Sequence, residues 1–577
     1  MIPVRLLFEG AQNIKVTLSA DGRGIYYLKN NRNLIYRDIE MNKETEVCIL
    51  DKKIMIYEFL SQDSLYYLYD SNSSGLDTIV VVRNGNSHTL QMLDRKIRVL
   101  QYSSSKNTLA FSANRKNSAI YDIYIWDLNS FKYNIIFENN ENAFKWELND
   151  QNEIIAKYMN VGNKILLLMK INGNWIGIRE YWSADYWRSC LICWDDEAVY
   201  LKERGERDTF SIIKVSLTDF HEEVIVSLEF DIEDVLVLNQ TIAAVSFYSI
   251  RKKWIILHED DRYELEFLTD ETDGDIQFVQ FSDNENAALL VYTRDNDVKS
   301  YYSYTRAVDG KSHKKTLLFK SRDSLREYTL DRTKGFSFWT RDDITIEGYM
   351  TAKTFQERTL VMKIHGGPLQ RDSWGYDAIA QFFSSRDCIC CEINYRGSFG
   401  YGKKFEELMN KELGGKVTND ICDGVEYMLA QFEQIEYVYL YGWSSGGYIA
   451  LMTAINHRIP YLKGIIAVSA PLDIRQFVEN SEENGVQTAE MAGIIFGNPE
   501  KDIDVMRDQS ALREEIGYPL LYAYGSCDLG MDEKRIKMFQ SMNGSDCTIL
   551  KYQDGHALTR SRIDLFEHIE KFVSDKT

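Results

Sequence analysis

No stretch of this 577-residue chain comes near the roughly 18 consecutive apolar residues that a membrane-spanning helix needs. The opening segment, MIPVRLLFEGAQNIKV, has no long apolar run of the kind that directs secretion. The expectation is a cytoplasmic protein with no membrane partner. A basic face is also missing. Lys and Arg total 67 against 87 Asp and Glu, a formal charge of −20, which argues against nucleic acid as a partner. The nine cysteines are odd in number and scattered, so they read as reduced thiols rather than a disulfide framework. Cys190 and Cys193 form a lone CxxC in an apolar, strand-like run with no second pair. Cys388, Cys390 and Cys391, in DCICCEINY, alternate as in a buried strand and serve as small core residues. No cluster has metal-ligand spacing. Neither metal nor cofactor is expected, and chelators are expected to leave the rate unchanged.

What is present is a soluble globular composition, 44% hydrophobic and 27% charged, on a chain long enough for two domains. Residues 1–320 are short β-patterned runs broken by polar turns. Asp21, Asp63, Ser105, Asp150, Asp195, Asn239 and Asp283 mark turns that recur every 42 to 45 residues. A period of about 40–45 residues with four strands per repeat is the signature of a β-propeller, and seven turns imply seven blades. After the charged stretch KSRDSLREYTLDRTKG the pattern changes to strands alternating with helices, which implies an α/β domain with a mostly parallel sheet. The expected division is a propeller over 1–322, a linker over 323–335 and the α/β domain over 336–577.

In an open α/β sheet, chemistry sits at the carboxyl ends of the strands. There, after the apolar run Val438–Tyr441, stands Gly442-Trp443-Ser444-Ser445-Gly446, a G-x-S-x-G nucleophile elbow with Ser444 at its centre. Ser445 would offer its backbone N–H to an oxyanion at the helix start. A serine hydroxyl needs a base, and the base an orienting acid, on loops after later strands. Of the histidines beyond Ser444, His457 ends the next helix and His568 lies inside the last one, which leaves His556 in YQDGHALTR. The acid belongs on the loop Gly525–Asp532; Asp528 is nearer the strand end and Asp532 is the second choice. Asp554 stands too close to His556 in sequence to be its usual partner. The glycine turn His365-Gly366-Gly367-Pro368 offers a second oxyanion donor, the Gly367 amide.

These motifs, with NYRGSFGYG at 394–402 and NDICDGVEYML at 419–429, resemble the prolyl oligopeptidase family of serine peptidases, most closely its acylaminoacyl-peptidase-like branch. The resemblance implies an N-terminal seven-bladed β-propeller joined to a C-terminal α/β-hydrolase domain, with nucleophile, acid and base on Ser444, Asp528 and His556. It places the oxyanion donors on the Gly367 and Ser445 amides. It departs in the acid loop, where Tyr524 replaces the usual histidine and Leu529-Gly530-Met531 follows the acid. The resemblance also implies a propeller that admits short or unfolded peptides and excludes folded proteins.

Leu472, Ile474 and Phe477 could line a hydrophobic pocket for the residue before the cut, or pack in the core. Glu222 and Glu223, in DFHEEV, resemble the acidic pair with which dipeptidyl-peptidase relatives hold a free amino terminus; a solvated blade turn is the favoured reading. Alternatives with the same triad are an esterase or amidase, a specialised peptide-processing hydrolase, or a dipeptidyl aminopeptidase. From another class comes a non-catalytic propeller scaffold. The sequence sets no oligomeric state; a homo-oligomer is compatible with it.

Overall fold

The computed structural model describes residues 1–574 apart from short segments at 11–12, 20, 31–32, 50–55, 62–63, 70–76, 84–85, 93–94, 116–118, 187, 239–240, 259–261, 270–273, 283–285, 307–312 and 482–485. Seven antiparallel sheets follow one another in the first half, each built from consecutive strands. Six have four strands; the sixth blade shows three, Ile232–Leu238, Thr241–Tyr248 and Lys252–Ile256. The recurring polar turns join the first and second strands of the blades. Asx chemistry closes two of the described ones: Asp21 Oδ1 accepts from the Arg23 amide at 3.1 Å, and Asp195 Oδ1 from the Glu197 and Ala198 amides at 2.8 and 2.7 Å. Asp63, Asn239 and Asp283 lie outside the described residues.

Each blade is a chain-local meander, so no strand is exchanged to close the ring. The first blade meets the seventh through side chains instead. Gln280 Oε1 accepts from Thr17 Oγ1 and from the Leu18 amide at 2.6 and 2.7 Å.

The second half is one eight-stranded sheet. Its order is Arg332–Trp339, Thr345–Ala352, Cys388–Ile393, Thr359–Ile364, Tyr437–Trp443, Leu462–Val468, Leu520–Gly525 and Cys547–Tyr552. The first two strands pair antiparallel, the second runs antiparallel to the third, and the rest are parallel. Continuous apolar runs suit strands buried on both faces. Leu360, Met362 and Ile364 face one core with Val438 and Leu440, packed beneath the helices Lys416–Gln431 and Ser445–Asn456. Val361, Tyr439, Tyr441 and Ile466 face the opposite core.

Two boundaries differ from expectation. The eight-stranded sheet begins at Arg332, so the expected start at 336 falls inside its first strand, which is fully paired with Thr345–Ala352. The chain also begins in the hydrolase domain rather than the propeller. A short helix, Val4–Phe8, buries Val4 and Leu7 against Phe382 and Phe566, and Phe8 stacks on Phe566 with ring centroids 3.9 Å apart. Five residues carry too little periodicity to show this docking. Cys190 and Cys193 sit on the first strand of blade 5, and the described cysteines carry free thiols. Among the described residues no helix is long and apolar enough to cross a membrane.

Candidate active site

The strand Tyr437–Trp443 runs into the helix Ser445–Asn456 through a single residue, Ser444, whose φ of 56° and ψ of −127° lie where L-residues are strained. Such a conformation costs about 1–3 kcal/mol and persists only where the surroundings enforce it. Here they do. The Ser444 amide donates to Val468 O at 2.7 Å, continuing the strand ladder, while Ser444 O accepts from the Tyr448 amide at 3.1 Å, starting the helix. Glycines leave room for the sharp bend: a Cβ on Gly442 would strike Gly446 O, and one on Gly446 would strike Ile364 O. Among the described residues, the Ser444 side chain caps no amide and its hydroxyl takes part in no hydrogen bond.

His556 and Asp528 come together as the sequence places them. His556 Nδ1 lies 2.6 Å from Asp528 Oδ2; the aspartate is 6% exposed and the imidazole 50%. Asp528 Oδ1 also accepts from the Gly530 amide at 3.0 Å, which fixes the carboxylate. The hydrogen bond to Asp528 raises the His556 pKa above its ordinary value, against the opposing effect of burial. The histidine loop is tied back to the elbow, since His556 O accepts from Trp443 Nε1 at 3.1 Å and from Ser469 Oγ at 3.0 Å. Asp554 shapes that loop by accepting from the amides of Gly555, Arg560 and Ser561. Asp532 is engaged elsewhere. It caps the helix Glu533–Asn543 and pairs with Arg535 at 2.6 Å. His457 bonds to Thr418 Oγ1, and His568 lies in the closing helix, Arg562–Ser574.

The glycine turn abuts the elbow. A Cβ on Gly366 would lie 2.6 Å from Trp443 O and 3.4 Å from the Ser444 Cβ. Gly367 adopts φ +125°, a region that disfavours side chains. Its amide and that of Ser445, the first residue of the elbow helix, donate to no acceptor among the described residues. Two free N–H groups beside a serine form a ready anion site. Behind the turn, His365 is buried; its Nε2 bonds Ser398 Oγ at 2.9 Å and its ring stacks on Tyr395. Burial lowers its pKa, so it is a neutral support for the turn. Lys363, also buried, sits among Asp372, Asp377 and Glu392, and these three carboxylates outweigh the desolvation of its ammonium group.

Residues 374–574 match the model described as Peptidase_S9, prolyl oligopeptidase family. That carboxyl-terminal stretch, with the elbow and the histidine loop, belongs to the prolyl oligopeptidase family. The whole chain is 23% identical over 530 residues to dipeptidyl aminopeptidase BIII of Pseudoxanthomonas mexicana, covering 86% of this chain and 76% of that one. It is 22% identical over 513 residues to dipeptidyl peptidase family member 6 of Caenorhabditis elegans, covering 78% and 68%. Its fold matches the structure of a Mycobacterium tuberculosis puromycin-hydrolyzing peptidase with a TM-score of 0.75 at 12% identity, over 100% of this chain and 96% of that one.

The residues suggested for specificity behave differently from one another. Ile474 packs in the core at 1% exposure. Leu472 and Phe477 line a slot of only about 10 Å³ beside Tyr522 and Met531. Glu222 and Glu223 begin the outermost strand of blade 5, exposed to solvent, where Glu222 pairs with Arg179 at 2.5 Å. An edge strand facing outward does not present a carboxylate pair to the space between the domains. Sequence reasoning missed Ser469, whose hydroxyl holds the histidine loop. It also missed Arg188 and Arg371, which line the space between propeller and hydrolase. The only sequence signal for Arg371 was its place four residues beyond Gly367.

Proposed function

We propose that the protein hydrolyses short peptides through an acyl-enzyme, with Ser444 as nucleophile, His556 as general base and Asp528 as the acid that orients it. The observation that carries this reading is the 2.6 Å Asp528–His556 bond, on a loop whose backbone is anchored to the residue before Ser444. With Nδ1 engaged by Asp528, Nε2 is the nitrogen left to take the Ser444 proton as Oγ bonds to the substrate carbonyl carbon. The carbonyl oxygen becomes an oxyanion facing the Gly367 and Ser445 amides, each such donor being worth about 10²–10³ in rate. The imidazolium then gives its proton to the leaving amine, and water repeats the sequence on the ester. The propeller walls the site on one side and restricts it to small or unfolded peptides.

Mass-spectrometric profiling of a short-peptide library, with free and N-acetylated members and the Ser444→Ala variant as blank, tests the reading. Cuts that require Ser444 are expected. Turnover of esters alone would move the assignment to an esterase, and activity unchanged by Ser444→Ala would sink the triad. Dipeptide release confined to free amino termini would identify a dipeptidyl aminopeptidase, in keeping with the names of its relatives.

A further inference from the structure

A cavity of about 360 Å³ lies between blades 5 and 6 and the loop that carries the oxyanion glycines. That is within the range of ligand pockets, about 300–1,000 Å³. Its charged lining is Arg188, Lys202 and Arg371 against Glu233, with Tyr248 and Phe399 completing the walls. Three cations to one carboxylate is the reverse of the whole chain, whose formal charge is −20.

Two of the cations, Arg371 and Lys202, are held in place without ion pairs among the described residues. Arg371 donates to Ser249 O at 3.2 Å and Tyr401 Oη at 3.1 Å and lies over the Tyr248 and Tyr401 rings. Glu347 reaches it only through the Tyr401 hydroxyl. Lys202 Nζ donates to the backbone oxygen of Glu233 at 2.8 Å. Among the described residues neither Arg371 nor Lys202 forms an ion pair, and the Glu233 carboxylate forms none either. Arg188 packs on the Phe399 ring and donates to Leu369 O at 3.0 Å; its neighbour Glu406, 3.8 Å away, is already held by two bonds from Arg204. Burial pushes Arg188 down to about 10, although Glu406, Asp231 and Glu233 pull it the other way. A guanidinium such as that of Arg371, fixed by neutral acceptors beside an open space, forms a fork matched to a carboxylate.

We propose that this cavity is a carboxylate-binding subsite, formed by Arg188, Lys202 and Arg371, that anchors the acidic end or an acidic side chain of the peptide cut at Ser444. The inference rests on the peptidase reading and narrows its substrate class. Arg371 is four residues past Gly367, no more than about 14 Å of extended chain. A peptide with its carbonyl at Ser444 therefore reaches the cations within a few residues. The subsite thus selects short peptides by a charge close to the cut.

The test measures binding of N-acetylated tetrapeptides to the full-length Ser444→Ala variant by calorimetry. One pair differs only in a terminal carboxylate or carboxamide. A second pair, amidated at the end, carries Glu or Gln in the chain. Charge-assisted hydrogen bonds predict that the acid binds about tenfold or more tighter than its amide. The preference is expected to weaken as salt rises, to fall severalfold in Lys202→Met and to be retained in Lys202→Arg. Tighter binding in the first pair assigns the site to a chain terminus; in the second, to an acidic side chain. Equal affinities in both pairs, no measurable binding of either acid at millimolar concentration, or a preference unmoved by Lys202→Met overturns the proposal. Turnover of the amides by the unaltered enzyme is read separately. Hydrolysis without acid preference removes the subsite and leaves the peptidase; acid preference without hydrolysis does the reverse.

Discussion

Gly366→Ala puts a methyl group between the glycine turn at 365–368 and the strand end that leads into Ser444. The new Cβ would stand 2.6 Å from Trp443 O, where ordinary contact begins at 3.4 Å. One of the two backbones must retreat by about 0.8 Å, and a misplacement near 1 Å costs roughly 10²-fold in rate. Gly366 does not have a positive φ, so the alanine itself adds no backbone strain and the effect isolates the close approach. The stability cost of such overpacking is about 1–3 kcal/mol, which leaves the protein folded at 25 °C. The assay is kcat on a short peptide, with the melting temperature recorded alongside. Gly493→Ala is the control, since nothing lies within 4 Å of a Cβ there. A Gly366→Ala enzyme within threefold of the unaltered kcat would refute the idea that this turn and Ser444 act as one unit.

Four further outcomes are expected. Asp528→Asn leaves the loop in place but lowers kcat about 10⁴-fold, because the imidazole loses its orienting acceptor. Asp532→Ala, by contrast, removes a helix cap for about 1 kcal/mol of stability, with kcat near that of the unaltered enzyme. The pH–rate profile follows from the raised pKa of His556. The base is available only when neutral, so activity falls on the acid side with a midpoint above about 6.5, the ordinary histidine value. A midpoint below that value counts against the Asp528 contact in solution. Phe8→Ala removes a ring stacked on Phe566 and lowers the melting temperature without changing kcat; unchanged melting would show that the amino-terminal helix is undocked in solution.

The placement of the candidate residues was legible because they stand in short local signals. A glycine-flanked serine after an apolar strand, and a histidine between the last strand and the last helix, each have one structural meaning in this topology. The seven blades were legible from turns such as Asp21 and Asp195, whose side chains close the turn within a few residues. What escaped was set by contacts between distant parts of the chain. Val4–Phe8 is five residues long, and its position is explained by distant partners such as Phe382 and Phe566. Ile474 and Phe477 look alike in sequence, yet one is buried in the core and the other lines a slot. The lining of the cavity draws Arg188 from between two blades and Arg371 from the hydrolase, residues that nothing local connects.

The docked amino-terminal helix has a mechanical consequence. The chain enters the propeller from the hydrolase before blade 1 and returns to it after blade 7, so both crossings leave from the same seam of the ring. They act as the two pins of one hinge. Any movement that parts the halves while both pins hold must turn about that seam and gape widest across the ring, at blades 4 and 5. The fastening on that far side is of another kind. Arg204 grips Glu406 there, and Asp208 receives the Lys404 amide at 2.8 Å. Water can stand in for such polar contacts while they are open, whereas the greasy packing at the pins has no such substitute. The molecule is hung at the seam by apolar packing together with the Arg332–Asp295 pair, and latched across the ring by polar contacts.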